Sequence, residues 1–201
     1  MRDGDVSRET YDAFGYYIAL LEKWNARINL IARSTSSEIW NRHILDSFQL
    51  VQFADKGYRW LDLGSGAGFP GIVVSVARPD VPMTLIESDN RKAAFLREVV
   101  RQLRLDCTVI ADRIERIEPQ NAAIISARAL APLSELLGLA ARHATPETVY
   151  LLPKGRDWEM EVVKARGMWQ FDMETFPSQT DAQGRILKLR SVRRVASESG
   201  S

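Results

Sequence analysis

The sequence predicts an α/β chain: a mostly parallel central sheet with helices on both faces, an N-terminal helical extension, and an antiparallel strand pair at one sheet edge. Three observations carry this. Short apolar runs at 58–63, 83–87, 108–110, 122–126 and 149–152 alternate with helical or loop sequence, the pattern of parallel strands joined by crossovers. A glycine-rich turn, 64–71, joins the first strand to the next helix, as nucleotide sites at the carboxyl edge of such sheets require. Apolar runs at 168–176 and 186–195 flank a polar stretch containing Gly184, the signature of two antiparallel strands and their connection.

Taken in order, the first helix shows itself in Tyr11, Phe14, Ile18 and Leu21, whose spacings of three and four place them on one face. Ser7 provides a capped start. A second helix is expected over 37–53, with Trp40, Ile44, Phe48 and Val51 as its apolar stripe. On that helix Arg42 and Asp46 stand four residues apart, the spacing of a surface ion pair. Pro70 suits the first turn of the helix after the glycines, where a missing N–H costs little. The helix over 90–103 turns Phe95, Leu96, Val99, Val100 and Leu103 inward.

A chain of 201 residues supports one domain with its own core. Its expected divisions are a helical extension (1–55), an α/β core (56–195) and a disordered tail (196–201). The net charge of +1 gives no global sign of nucleic-acid binding, so any RNA contact must be a local basic patch. The single cysteine, Cys107, rules out an intramolecular disulfide and a thiolate zinc cluster, and reads as a core thiol. Two histidines far apart in sequence add no metal site; His143 is expected at an exposed helix end. No apolar run approaches the roughly 18 residues of a membrane helix. The polar N-terminus carries no signal-peptide core, so the expected location is the cytoplasm, away from any membrane.

The strongest chemical signal is L-D-L-G-S-G-A-G-F-P-G, 61–71. Gly64, Gly66 and Gly68 let a ligand approach the backbone closely. Glu87, 23 residues after Gly64, ends the second strand, where a carboxylate can accept from both hydroxyls of a ribose. Gly66, Gly68 and Gly71 also spell G-x-G-x-x-G, a dinucleotide pattern, which would place a diphosphate on the helix N-terminus. Asp62 favours S-adenosylmethionine instead. Just before the glycines it can help hold an ammonium group, directly or through water, and it would repel a diphosphate. An NAD-linked oxidoreductase and a non-catalytic S-adenosylmethionine-binding regulator remain as alternatives.

Further stretches extend this: W-N-A-R-I-N-L (24–30), R-H-I-L-D-S (42–47), T-L-I-E-S (84–88), D-R-I-E (112–115), S-A-R-A-L-A-P-L (126–133) and L-P-K-G (152–155). With the glycine loop, they run in the order found in the bacterial small-subunit ribosomal RNA guanine-N7 methyltransferases, the glucose-inhibited division protein B family, which this chain resembles across 24–155. The resemblance implies a Rossmann-like class I methyltransferase fold, S-adenosylmethionine as cofactor, and N7 of a guanosine in 16S ribosomal RNA, free or in the small subunit, as acceptor. It implies that Gly64 and Phe69 contact the cofactor, that Ile114 and Glu115 line the adenine pocket, and that Arg128 lies near the methionine end and the target. Glu87 stands where relatives often carry Asp. His43 and Asp46 would form an RNA-facing edge beside the cofactor, giving Arg128, Asp46 and His43 as the candidate catalytic residues.

Guanine N7 carries a lone pair in the neutral base, so its methylation needs no prior proton removal. Alignment and exclusion of water suffice, which fits the lack of any Ser-His-Asp arrangement. A carboxylate such as Asp46 could stabilise the positive charge that develops on the base. Candidates for phosphate contact are Arg27, Arg33, Arg42, Lys154 and Arg156, and a denser cluster of Arg185, Lys188, Arg190, Arg193 and Arg194. Trp24 and Trp40 read as core rather than as base-stacking platforms. No large apolar stripe is left unexplained, so a monomer is expected.

Overall fold

A computed structural model describes residues 7–32, 38–54 and 57–195. The expected helix start at Ser37, the basic candidate Arg33 and the tail from 196 onward lie outside the described residues.

Helix α1 (Arg8–Ile28) starts as expected, with the Ser7 hydroxyl accepting from the Thr10 N–H. It stops at Asn29, which takes the left-handed conformation at φ 51°. The Asn25 side chain accepts from the Ile31 N–H at 2.9 Å. The two asparagines of W-N-A-R-I-N-L therefore terminate a helix and turn the chain. Phe14, Tyr17 and Leu21 are buried, while Tyr11 is mostly exposed and tilts against Trp40 at 5.0 Å.

The second helix differs from expectation. Trp40–Leu45 is π-helical, Asp46–Phe48 (α2) forms one α-helical turn, and Val51–Phe53 is a 3₁₀ turn. The wider π turn changes which side chains stack along the surface. Arg42 pairs with Glu38, four residues earlier, at 2.6 Å and not with Asp46, whose partner Arg128 comes from the end of β4.

Seven strands form one sheet in the order β3-β2-β1-β4-β5-β7-β6. They are β1 (Trp60–Leu63), β2 (Met83–Ile86), β3 (Cys107–Ile110), β4 (Ala122–Ala127), β5 (Ala144–Lys154), β6 (Trp169–Pro177) and β7 (Arg185–Arg194). Strands β1 to β5 pair in parallel, and β7 pairs antiparallel with both β5 and β6. Order reverses between β1 and β4, which opens the crevice where doubly wound sheets bind ligands.

The remaining helices are α3 (Gly71–Ala77), α4 (Asn90–Leu103), α5 (Leu133–Ala140) and α6 (Trp158–Arg166). One core layer holds Phe14, Tyr17, Leu21, Ile44, Trp60, Ile72, Leu85 and Phe95. The other, on the opposite sheet face, holds Leu61, Leu63, Ile125, Leu136, Leu137, Tyr150 and Val162. Successive strand residues point to opposite faces. Trp60 thus faces the first layer and Leu61 and Leu63 the second, which turns Asp62 toward α3. Trp24 packs against Phe95 at 5.7 Å, as a core residue. The Cys107 thiol bonds the Ser75 hydroxyl at 2.9 Å, and burial pushes its pKa up to about 11.

Candidate active site

The glycine loop leaves the carboxyl end of β1. Gly64, Gly66 and Gly68 take φ of 64°, 56° and 97°, conformations that exclude most side chains. Gly64 and Gly68 also pack closely, under Leu130 and against Ile72 and Tyr17. Gly66 faces open space, with only the Gly64 carbonyl oxygen near, 3.8 Å from where a Cβ would stand. That leaves a backbone cradle against which a flat or chain-like ligand can lie. The Tyr17 hydroxyl of α1 donates to the Ala67 carbonyl, tying the N-terminal helix to the loop. Burial raises the Tyr17 pKa, so it remains a neutral donor.

Asp62 is fully buried beneath the loop. Its Oδ1 accepts from the Ser126 hydroxyl at 2.7 Å, and its Oδ2 accepts from the Gly71 N–H at 3.3 Å. Parallel register sets Asp62 beside Ser126 on β4, and Ser126 in turn accepts from the Trp60 indole at 2.8 Å. Both oxygens of the carboxylate, expected to help hold an ammonium group directly or through water, are thus bonded within the chain. Asp62 braces the turn and the start of α3. It also neutralises the donor that a diphosphate would need. Burial pushes its pKa up to about 6, against the opposing bonds from Ser126, Ser65 and Gly71.

Glu87 follows β2 and is nearly buried; its two oxygens accept from the Gly66 and Asp89 N–H groups, each at 2.8 Å. A carboxylate has about four lone-pair positions, so acceptor capacity toward a ribose remains. Ile114 and Glu115 lie in the connection between β3 and β4. Ile114 is buried and Glu115 exposed. The carbonyl of Ile114 accepts from His143 Nε2 at 3.0 Å, and that of Glu115 from the Arg142 guanidinium. His143 is therefore fully buried, correcting the exposed position expected of it. The turn after α5 folds its ring back under the 114–115 loop.

Arg128, just past β4, gathers the other expected residues. Its guanidinium bonds Asp46 Oδ2 at 3.2 Å and donates to His43 Nδ1. It lies over the Phe69 ring at 5.2 Å, and His43 stacks on the same ring at 4.9 Å. Burial, with the Arg128 and Arg42 charges, lowers the His43 pKa to about 4, so the imidazole is neutral near pH 7. Asp46 Oδ1 accepts from Gln49 Nε2 at 3.0 Å and from the Thr180 hydroxyl at 2.8 Å. Gln49, almost buried, also accepts from the Gln179 N–H at 3.1 Å. This network bolts the π-helical segment to the β6–β7 loop. Ala129, the next residue after Arg128, sits at φ 53°, a strained position for a residue with a Cβ.

Beyond Arg128 opens a cavity of about 760 Å³, lined by His43, Asp46, Arg128, Lys154, Thr180 and Arg185 among others. Lys154 is mostly buried at its edge, bonding Glu161 Oε2 at 2.7 Å and the Ala131 carbonyl at 3.0 Å. The same Glu161 oxygen accepts from the Leu133 N–H at 2.8 Å, so the pair fixes the 128–133 loop. Lys188 pairs with Glu174 at 3.1 Å and Arg42 with Glu38. Of the expected basic contacts, Arg42, Lys154 and Lys188 are thus engaged within the protein. Tyr17, Gln49, Thr180 and Glu161 were not singled out from the sequence. Tyr17, three residues after Phe14 and four before Leu21, and Gln49, three after Asp46, carried a signal of spacing.

Two buried groups titrate in opposition. The folded state keeps a proton on Asp62 that the unfolded chain has lost, so stability falls as pH rises from about 4 to about 6. The unfolded chain protonates His43 first, so its stability contribution rises with pH from about 4 to about 6.5. His143, also lowered by burial, adds to the second slope. Asp62→Asn is expected to steepen the rise of melting temperature across that window, and His43→Gln to weaken or invert it. Identical slopes in both variants and wild type would contradict these environments.

Comparison with known proteins follows the same lines. The family model described as rRNA small subunit methyltransferase G matches residues 10–186. A ribosomal RNA small subunit methyltransferase G of Cereibacter sphaeroides is 50% identical over 196 residues, covering 95% of each chain. That of Paracoccus denitrificans is 47% identical over 190 residues, covering 94% of this chain and 98% of its own. Among solved structures, an S-adenosylmethionine-dependent methyltransferase from Aquifex aeolicus superposes with a TM-score of 0.60 at 14% identity, over 86% of this chain and 97% of that one. That likeness shows the Rossmann-like class I methyltransferase fold. With the family model covering most of its length, this chain belongs to the rRNA small subunit methyltransferase G family.

Proposed function

We propose that this chain transfers a methyl group from S-adenosylmethionine to N7 of a guanosine in 16S ribosomal RNA. The observation that carries the reading is the position of Arg128. It joins the glycine loop, through Phe69, to the cavity beyond, so one cation touches the cofactor side and the substrate side together. Bound S-adenosylmethionine supplies a methyl already activated on a sulfonium sulfur. The residues around it bind and orient. The Gly66 cradle receives the cofactor, Glu87 accepts from its ribose hydroxyls, and Ile114 and Glu115 border its adenine. Asp62 keeps the loop in shape from below.

On the substrate side Arg128 offers N–H donors to an acceptor such as guanine O6, leaving the neighbouring N7 lone pair to attack in line. Asp46, beside it, supplies negative charge as the base becomes cationic. Neutral His43 holds the guanidinium from its other side. No proton transfer is required of any of them. The acceptor is RNA of the small subunit or its precursor, which implies a cytoplasmic location. No described helix is long and apolar enough to cross a membrane. Exposed large apolar side chains are scattered over α1, α6 and the strand ends, which favours a monomer.

The test combines radiolabelled S-adenosylmethionine, small subunits lacking the modification, and the protein. Borohydride reduction and aniline cleavage then locate N7-methylguanosine. Label in 16S RNA with one new cleavage site is expected. Label without cleavage would move the reaction to another atom, and no label would favour a binding protein without transferase activity.

A further inference from the structure

A second groove lies at the opposite end of the sheet from the crevice. Strand β7 runs antiparallel to its neighbours, so Arg185 at its start borders the catalytic cavity and Arg194 at its finish reaches the far edge. There Arg193 and Arg194, with Arg142 from the turn after α5, rim a depression floored by Met168, Trp169 and Val192. The described residues lining it include no carboxylate, and none of the three arginines is ion-paired among the described residues. Arg142 donates to the Glu115 carbonyl and Arg193 to Gln170 Oε1 at 3.0 Å, neutral acceptors that leave the charge uncompensated, so in a chain whose net charge is only +1 these three guanidinium groups are a local excess. Met168 is about half exposed, leaving an apolar edge beside the cations.

We propose that this groove is a second docking site for the RNA substrate, gripping its phosphodiester backbone remote from the target base. The inference rests on the RNA methyltransferase reading and extends it. Charge complementarity selects the occupant: clustered arginines without carboxylates suit a polyanion, and guanidinium forks match phosphate oxygens. The distance sets its form. Nine residue steps along β7, from Arg185 to Arg194, span at most about 30 Å at roughly 3.3 Å each, shortened by the bulge at Ser191, which sits at φ 52°. A substrate held at both ends must reach across that span, and folded RNA within an assembled or assembling subunit presents two backbone segments at such a fixed separation. The groove thus ties substrate choice to tertiary structure rather than to the sequence around the target.

The test uses the full chain carrying Arg193→Glu and Arg194→Glu together, both exposed and outside the site described above. Methylation of unmodified small subunits is measured across a salt series, beside cofactor affinity. Expected are a rise in KM for subunits of about tenfold or more, unchanged kcat and S-adenosylmethionine affinity, and a salt dependence of kcat/KM shallower by about one to two in log–log slope. A variant with lysine at both positions should restore most of the loss. An unchanged KM would overturn the proposal. So would a higher KM with an unaltered salt slope, which would point to a ribosomal protein as the contact, or one accompanied by weaker cofactor binding, which would mark a disturbed fold. Wild-type protein in the same assay reports on N7 transfer itself, so failure of that reaction is seen separately.

Discussion

Arg128→Ala is expected to lower kcat for RNA methylation by about a hundredfold or more, the scale seen when one preorganised charged or hydrogen-bonding group is removed from a reaction site. Cofactor affinity should change less, because the bonds from Gly66 to Glu87 and from Gly71 to Asp62 that shape the cradle do not involve the guanidinium. Some loss of stability accompanies the change, since Asp46 loses its cation while partly buried. Asp46 keeps its bonds from Gln49 and Thr180, which limits that loss. Arg128→Lys separates the causes: one ammonium can face Asp46 but cannot also span His43 and an acceptor on the base. Its kcat should stay well below wild type while its melting temperature recovers. Steady-state kinetics with saturating cofactor, calorimetry and thermal melting give the three readouts. Wild-type turnover in Arg128→Ala with normal melting would remove Arg128 from the site.

The central architecture was legible because parallel strands buried on both faces leave compact apolar runs, and those runs were bounded by glycine, proline and charge. The first strand, the glycine loop, the second strand and α4 stand close to where the sequence put them. Elements whose extent depends on neighbours were less visible. Strand β5 begins at Ala144, several residues before its apolar run, because pairing with Ala122 on β4 extends it through the polar stretch around Pro146. The π-helical turn at Trp40–Leu45 has no signature in apolar spacing. An α-helical reading therefore matched Arg42 to Asp46, whereas the fold gives Asp46 to Arg128, 82 residues away.

Residue types at the site were more legible than their directions. The glycines announced themselves through the backbone they permit, and Arg128, His43 and Asp46 do meet. Asp62 illustrates the difference. Its place before the glycines suggested help for an ammonium group, directly or through water, and strand parity turns it inward with Trp60, toward Ser126 and the start of α3. Parity was available from the sequence, but its meaning needed the partner strand in register. Gln49 and Thr180, 131 positions apart, both bond Asp46, and only the docking of the β6–β7 loop beside α2 reveals them.

Gly66→Ala tests the cradle at the point where the fold itself has least at stake. The substitution is expected to weaken S-adenosylmethionine binding by about a hundredfold or more and leave a folded protein. The new methyl would meet nothing in the chain closer than the Gly64 carbonyl oxygen, 3.8 Å away. Its conformational cost at φ 56° is about 1–2 kcal/mol, a few degrees of melting temperature in a chain this long. The methyl would project into the space assigned to the cofactor. Gly71→Ala provides the opposite case. There a Cβ would stand 2.3 Å from Leu85 Cδ2 and 3.0 Å from Asp62 Oδ2, inside the packing of α3 on β2. Overpacking of that kind costs about 1–3 kcal/mol or more, so Gly71→Ala should lose stability first and binding only as a consequence. Calorimetric titration beside thermal melting distinguishes the two. If Gly66→Ala bound the cofactor like wild type, the open face of the loop would not be where the ligand lies, and the cradle would have to be sought under Leu130 at Gly64, where the chain now packs against itself.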